Sequence, residues 1–183
     1  MGETEALLLD AHRFGPAAPE EEYVYGSCSP GWHAAADHER CITEWIANME
    51  SAGIERVCCL MAGHPSEVRK TNLEAYRRAF GSERVLHAPI PQRQLADPAL
   101  LNSEILPFLH ESRRAEEPVV VHCLAGLGRT GQVLAAWIVD HRGYHPEEAV
   151  ETVRKMGRDP VDAIQAGNAT KEDLLELLHS VGP

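Results

Sequence analysis

The chain has 183 residues, 44% of them hydrophobic and 25% charged, values typical of one globular domain that buries its own core without disulfides or metals. Acidic residues outnumber basic residues by 28 to 17, and the net charge is −11. This balance argues against nucleic acid or an anionic membrane as a partner, because both need a basic field. No apolar run is long enough to cross a bilayer, so the sequence excludes a membrane span.

The cysteines and the first residues indicate a compartment. Five cysteines are an odd number, which disfavours a disulfide framework and favours reduced thiols. Residues 1–5 include Glu3 and Glu5 and lack the basic start of a secretion signal. We therefore expect a cytoplasmic protein.

The first third of the chain predicts two short strands and a helix. Residues 7–9 form an apolar run that predicts a first strand, 11–22 read as a loop with glycine and prolines, and 23–25 predict a second strand. Asp37 stands at a helix N-cap position. The apolar residues that follow it at helical spacing are Ile42, Trp45, Ile46 and Met49.

The middle of the chain alternates strands with helices. Residues 56–61 are a continuous apolar run that predicts a buried strand, and a helix is predicted around 67–80. A short strand over 85–88 follows. Asp97 and Pro98 together are a strong helix start, since aspartate caps the free N–H groups and proline suits the first helical position.

Residues 118–122 give the clearest strand, a β-branched run that begins with proline. Three more helices are predicted after it, over 129–141, 146–156 and 171–178. Strands that are unbroken apolar runs and alternate with helices predict an α/β fold, with a central, mostly parallel sheet and helices on both faces. We assign the whole chain, 1–183, to one domain, with 1–22 as an N-terminal segment.

The loop after the 118–122 strand carries the chemistry, because ligands of such sheets bind beyond the carboxyl ends of the strands. Strand end and loop read HCLAGLGRTG, in which five residues separate Cys123 from Arg129. Gly126 and Gly128 allow successive N–H groups to point inward, and a helix N-terminus closes the loop, so the segment suits a phosphate. The same positive end favours the thiolate form of Cys123. Thr130 stands where it can donate a hydrogen bond to the sulfur.

This segment resembles the HC-x5-R-[S/T] signature of cysteine-dependent protein-tyrosine and dual-specificity phosphatases, and it is most similar to the small atypical dual-specificity type. Other features of that family recur at 25–27, at the helix-to-strand step 53–57 and at 89–91. The resemblance covers about 23–180.

The resemblance implies the cysteine-phosphatase fold and a mechanism without metal or cofactor. Cys123 would attack phosphorus to give a phosphocysteine, Arg129 would grip two phosphate oxygens, and Thr130 would assist the departing sulfur. His122, next to the nucleophile, is expected to orient the loop by hydrogen bonding. A phosphate or sulfate ion is expected in the loop. The predicted substrate-binding residues of the chain are Leu124, Ala125, Gly126, Leu127, Gly128 and Arg129.

The general acid departs from the family pattern. Relatives often carry Ile-Pro-Asp before the long helix, and this chain has Gln92 in place of that aspartate. The next carboxylate along this segment is Asp97. Asp97 is therefore the predicted proton donor, although its place before Pro98 also explains it as a helix cap.

Three other patterns compete with this interpretation. Gly126, Gly128 and Gly131 match a dinucleotide-binding fingerprint, but no acidic residue ends a strand about 20 positions later. Four residues that resemble metal ligands, although their spacing fits no known zinc pattern, are Cys28, His33, His38 and Cys41. Gln165 and Asn168 are candidates for positioning the hydrolytic water.

The apolar side chains of Leu124, Ala125 and Leu127 and the acidic chain disfavour a multiply charged substrate. We expect a phosphoprotein or a small phosphomonoester, in a shallow cleft that admits phosphotyrosine, phosphoserine and phosphothreonine. Two alternatives remain open. Gln92 suggests a phosphoprotein-binding pseudo-phosphatase, and the five cysteines, with Cys58 and Cys59 expected in the core, suggest a redox-sensing thiol protein.

Overall fold

A computed structural model describes residues 10–32, 37–62 and 70–181. The predicted strand at 7–9 and the first residues of the helix predicted around 67–80 lie outside this description. Within it, five strands form one sheet in the order β1-β2-β5-β3-β4. Their bounds are β1 Gly15–Pro16, β2 Val24–Ser27, β3 Arg56–Cys59, β4 Val85–His87 and β5 Val119–His122.

The sheet is mostly parallel, as the sequence predicted. Strands β2, β5, β3 and β4 pair in parallel, and β1 pairs with β2 antiparallel. Strand β1 lies within the segment 11–22, which was expected to be loop. The prediction missed it because two residues, one of them Pro16, are too few to give a period-2 pattern.

Helices connect the strands. Their bounds are α1 His38–Ser51, α2 Lys70–Phe80, α3 Pro98–Leu100, α4 Leu106–Arg114, α5 Gly128–Arg142, α6 Pro146–Lys155, α7 Asp162–Gln165 and α8 Lys171–His179. A 3₁₀ turn, Ser82–Arg84, precedes β4, and a π-helical stretch, Leu101–Ile105, joins α3 to α4 without a break. Asp37 caps α1 and Asp97 caps α3, both as predicted.

Helices pack on both faces of the sheet, because neighbouring residues of its central strand belong to opposite hydrophobic clusters. Val119 and Val121 pack in the cluster that contains Trp137 of α5, whereas Val120 packs in the cluster that contains Trp45 of α1. Helix α5 is buried along most of its length, since one side covers the sheet and other helices cover the rest. The strand β5 and the helix α5 therefore form the centre of the fold.

Strand β5 lies between β2 and β3, with Ser27 and Cys59 both beside His122. The loop that leaves β5 therefore emerges at the middle of the carboxyl edge of the sheet. The ends of the neighbouring strands flank it on both sides, which is the usual place for a ligand in a sheet of this kind.

Candidate active site

The loop between β5 and α5 is shaped by glycine at a position where no other residue fits. Gly126 has a φ of +75°, and a Cβ built on it would lie 2.5 Å from the carbonyl oxygen of Ser27 and 2.7 Å from the nitrogen of Cys28. Backbone conformation and space both require glycine there. The loop thus packs its backbone directly against the end of β2.

Cys123 lies at the bottom of this loop, with only 2% of its surface exposed. The hydroxyl Oγ1 of Thr130, in the first turn of α5, donates a hydrogen bond to Cys123 Sγ over 3.2 Å. The structure therefore places the Thr130 hydroxyl within hydrogen-bond distance of the Cys123 sulfur, as the sequence predicted.

His122 orients the loop from inside the core. Burial lowers the pKa of His122 to about 4, so its ring is neutral at pH 7. Its Nδ1 is 3.0 Å from the carbonyl oxygen of Cys123 and its Nε2 is 3.1 Å from the hydroxyl of Tyr76. Because a carbonyl can only accept, Nδ1 carries the proton and Nε2 accepts from Tyr76. These hydrogen bonds correspond to the orienting role predicted for His122.

Arg129 extends from the start of α5 beneath the loop that follows β4. Its side chain is buried, and Nη1 donates to the carbonyl oxygen of Ile90 over 2.9 Å. Ile90 stands two residues before Gln92, the position at which relatives carry their acid. The guanidinium therefore joins the segment after β4 to residues 123–128, which we call the phosphate loop after its predicted ligand.

A cavity of about 270 Å³ opens above Cys123. Its walls come from the phosphate loop, from the segments after β2 and β4, and from the turn before α7. The lining residues are Trp32, Gln92, Arg93, Cys123, Leu124, Ala125, Leu127, Gly128, Arg129, Asp159 and Asp162. Trp32, 41% exposed, places an aromatic surface at the mouth.

Most of the predicted substrate-binding residues line this cavity, and Gly126 forms the loop behind it. Asp97 is not among the lining residues. Its carboxylate accepts hydrogen bonds from the N–H groups of Ala99, at 2.8 Å, and Leu100, at 3.3 Å, and thus acts as a helix cap. Its role as general acid stays a prediction.

Sequence reasoning missed two carboxylates of the site, Asp159 and Asp162. The N–H of Asp159 donates to the carbonyl of Leu127, and Asp162 packs so closely on Gly128 that a Cβ there would lie 2.8 Å from its Oδ2. Both residues lie at a turn that contains Pro160, and turns of that kind are common and carry no chemical signal.

The candidates for positioning water lie elsewhere. Gln165 is exposed, and Asn168 donates its amide to the carbonyl of Arg93 over 2.8 Å. Neither residue is among those that line the cavity. The cavity is instead lined by Asp159 and Asp162, which precede Gln165 and Asn168 in the chain.

The remaining cysteines have separate surroundings. Cys58 and Cys59 are buried in the sheet, as predicted. Cys28 is buried beside the phosphate loop, and burial raises its pKa to about 11, so it is a protonated thiol at pH 7. Of the residues considered for zinc, His33 lies outside the described residues, and His38 Nε2 is 2.7 Å from Asn72 Oδ1.

No helix in the described part of the chain is long and apolar enough to cross a membrane.

The comparison with protein families agrees with this geometry. The family model Tc-R-P, described as "Polymorphic toxin system, DSP-PTPase phosphatase", matches residues 34–143, more than half of the chain. The chain belongs to this family. By family and by fold it therefore groups with the dual-specificity cysteine phosphatases, and Cys123 and the loop that follows it lie inside the matched span.

Individual members of the wider dual-specificity group are also similar. The dual specificity protein phosphatase Mpk3 of Drosophila melanogaster is 34% identical over 79 residues, which are 43% of this chain and 19% of Mpk3. OPG106 of monkeypox virus is 25% identical over 72 residues, 39% of this chain and 42% of that protein. The matches thus span less than half of these relatives.

A solved structure extends the similarity to nearly the whole chain. Tk-PTP in its active form shares 25% identity, with a TM-score of 0.64, over 91% of this chain and 96% of that one. The α/β cysteine-phosphatase fold predicted from the sequence is confirmed by this likeness and by the sheet order.

Proposed function

We propose that this dual-specificity phosphatase hydrolyses phosphomonoesters of proteins through a phosphocysteine on Cys123. The observation that carries the proposal is the buried sulfur itself. It accepts a hydrogen bond from Thr130 at 3.2 Å, at the bottom of a cavity lined by the loop and by Arg129. The mechanism needs a reduced thiol, which supports a reducing compartment such as the cytoplasm.

The residues divide the reaction between them. The Cys123 thiolate attacks phosphorus, the bond to the leaving oxygen breaks, and the loop N–H groups and Arg129 hold the remaining phosphoryl oxygens. Water then attacks the phosphocysteine and releases inorganic phosphate. At that step the hydrogen bond from Thr130 stabilises the sulfur as it departs with its electron pair. His122 holds the loop in its orientation during both steps.

Alkyl leaving groups need a proton, and three carboxylates are candidates. Asp97, the donor predicted from the sequence, would have to release the N–H groups that it caps in order to reach the leaving oxygen. Asp159 and Asp162 line the cavity, so both are candidates that need not release a helix cap. Aryl phosphates leave as stable anions and depend little on this group.

The proposed substrates are phosphotyrosine and, in addition, phosphoserine and phosphothreonine. Leu124, Leu127 and Trp32 form an apolar wall that suits an aryl ring. The cavity is small and open, which supports access for the shorter serine and threonine side chains. Its relatives Mpk3 and OPG106 carry the name dual specificity protein phosphatase.

A panel of phosphopeptides tests the proposal. We expect release of phosphate from phosphotyrosine, phosphoserine and phosphothreonine peptides by the native chain. Cys123→Ser should abolish all three activities and keep phosphate binding, because serine preserves the loop and Arg129 but does not ionise near pH 7. Turnover retained by Cys123→Ser would contradict the cysteine mechanism.

Gln92 favours a second function, since it lines the cavity where relatives place their acid. In this alternative the protein binds phosphoproteins without hydrolysing them. Binding of the same phosphopeptides by the native chain, with no phosphate released even from an aryl phosphate, would select it.

A further inference from the structure

We infer that Arg158, assisted by Arg13, is a positioning residue that holds the phosphate loop in its anion-binding conformation from the outer side; the inference rests on the function proposed for that loop. A loop that turns its N–H groups toward an anion turns its carbonyl groups away from it. Two successive outward carbonyls are each bound by a guanidinium. Arg13 Nη1 donates to Ala125 over 3.0 Å, and Arg158 Nη1 donates to Gly126 over 2.8 Å.

Arg158 also connects the loop to the N-terminal segment. Its Nη2 donates to the carbonyl oxygen of Arg13 over 2.8 Å and lies 3.5 Å from that of Gly15. Its side chain is buried, with 5% of the residue exposed. One guanidinium therefore fixes the loop, the start of β1 and the residue that carries the second guanidinium.

The fold leaves space for this side chain on two sides. A Cβ on Gly26 in β2 would lie 2.9 Å from Arg158 Cζ and 2.9 Å from its Nη2, and a Cβ on Gly131 in α5 would lie 3.2 Å from Arg158 Cβ. Any larger residue at Gly26 would displace the guanidinium. The glycines of two separate elements thus accommodate one arginine.

The charge of Arg158 is not matched by a carboxylate. Among the residues described, no aspartate or glutamate lies within ion-pair distance, and its buried Nε has no hydrogen-bond partner. Burial lowers the pKa of Arg158 to about 10, so the group remains charged at pH 7. A buried cation is costly unless an anion offsets it. The Cys123 thiolate of the proposed mechanism offsets part of this charge. An oxyanion held by the other side of the same loop offsets more of it, so the cation in turn favours binding of that oxyanion.

Neither arginine belongs to the span that the family model matches, since Arg13 precedes residue 34 and Arg158 follows residue 143. The family match therefore assigns them no role. Their proposed role follows from the contacts and burial described above.

The test measures phosphate binding separately from turnover. In the Cys123→Ser protein, the affinity for inorganic phosphate is measured by calorimetry, with and without Arg158→Met. In the protein with Cys123 intact, kcat and KM are measured for an aryl phosphate. We expect Arg158→Met to weaken phosphate binding about tenfold or more, as loss of a charge-assisted hydrogen bond does. KM should rise accordingly.

Graded variants separate positioning from folding. Arg158→Lys keeps the charge but cannot span the same carbonyls, so it should restore part of the affinity. Arg13→Gln should give a smaller loss than Arg158→Met. Arg142→Lys is the matched control, because Arg142 also binds backbone carbonyls, those of Pro19 and Glu20, away from the site. It should leave phosphate affinity unchanged.

Native phosphate affinity in a folded Arg158→Met protein would overturn the inference. If that variant does not fold, Arg158→Lys and Arg13→Gln decide, and native affinity in both would overturn it. An equal loss in Arg142→Lys would also overturn it, since the effect would then be general destabilisation. If the native chain binds phosphate but releases none from any substrate, the proposed function fails while the loss in Arg158→Met still supports the positioning role.

Discussion

Two loops meet over Cys123, and they are built in opposite ways. The phosphate loop between β5 and α5 is anchored in the core, with Gly126 pressed against β2 and His122 and Arg129 buried. The segment between β4 and α3 is mainly exposed, and its residue Arg93 has a φ of +56°. Cys123 is thus fixed by the interior of the fold, whereas Gln92, at the position expected for the acid, and Asp97 are carried on an exposed segment. The proposed binding of phosphate depends on the first loop, and carboxylates of more than one segment are candidates for the proton donor.

The largest expected effect concerns that proton. We compare Asp97→Asn, Asp159→Asn and Asp162→Asn with one alkyl and one aryl phosphate. The variant that removes the donor should slow the alkyl substrate by ~10²–10⁴-fold and the aryl substrate far less. We expect it to be Asp159→Asn or Asp162→Asn, because these residues line the cavity.

Asp97→Asn is the internal control for structure, since asparagine caps a helix about as well as aspartate. An alkyl-specific loss confined to Asp97→Asn would confirm the sequence prediction and place the acid on the exposed segment. Gln92→Asp restores a carboxylate at the position that relatives use, and it should raise alkyl turnover if protonation is limiting. Unchanged rates in all four variants would show that protonation does not limit hydrolysis.

The next effect tests the anchored loop. Arg129→Lys replaces a planar fork by a point charge, which cannot hold two phosphoryl oxygens and the Ile90 carbonyl together. We expect kcat/KM for an aryl phosphate to fall by about 10²–10³, the loss typical of one transition-state donor. Full activity in Arg129→Lys would contradict the clamp.

Gly126→Ala should lower kcat/KM less than Arg129→Lys does, and it should lower the free energy of unfolding more. The added Cβ meets the Ser27 carbonyl at 2.5 Å and a φ of +75° is strained for alanine, so the loop and β2 must separate. Strain of this kind costs about 1–3 kcal/mol, before the clash is counted. Thermal unfolding should show the lower stability, with Gly143→Ala as a control, since Gly143 has a φ of +70° but nothing within 4 Å of the added Cβ.

The smallest effect concerns pH. The pKa of His122 is lowered by burial from its ordinary 6.5 to about 4, so the unfolded chain binds more protons between these values. The contribution of neutral His122 to stability is complete above about pH 6.5 and is lost as the pH falls to about 4. Melting temperatures of native protein and His122→Gln should therefore converge over this range. Parallel curves would show that His122 does not titrate with unfolding.

The sequence predicted what is encoded locally. The spacing of Cys123 and Arg129, the glycines between them and the β-branched strand before them specify the loop within ten residues. The α/β architecture followed from apolar runs that alternate with helices. Asp97 was correctly placed as a cap, because capping depends on the next three residues only.

The other features of the site come from long-range packing. Asp159 and Asp162 reach the cavity because α5 and α6 bring the chain back to the phosphate loop. No local sequence pattern predicts this proximity. Trp32 lies at the mouth because the segment after β2 runs beside the loop after β5. A tryptophan and two aspartates near a turn look ordinary in a sequence, and only their position in space makes them candidates for a role in the site.

The contacts of Arg158 connect the active site to segments that are far apart in the sequence. Its hydrogen bond to the Arg13 carbonyl closes a separation of 145 residues, and that of Arg13 to Ala125 closes one of 112. Contacts so distant in sequence are entropically costly to close and slow folding. A chain still emerging from the ribosome can therefore carry its complete ten-residue motif without yet being competent to bind phosphate. Activity would appear only when segments from both sides of the motif have met, which ties chemical competence to the completion of the fold.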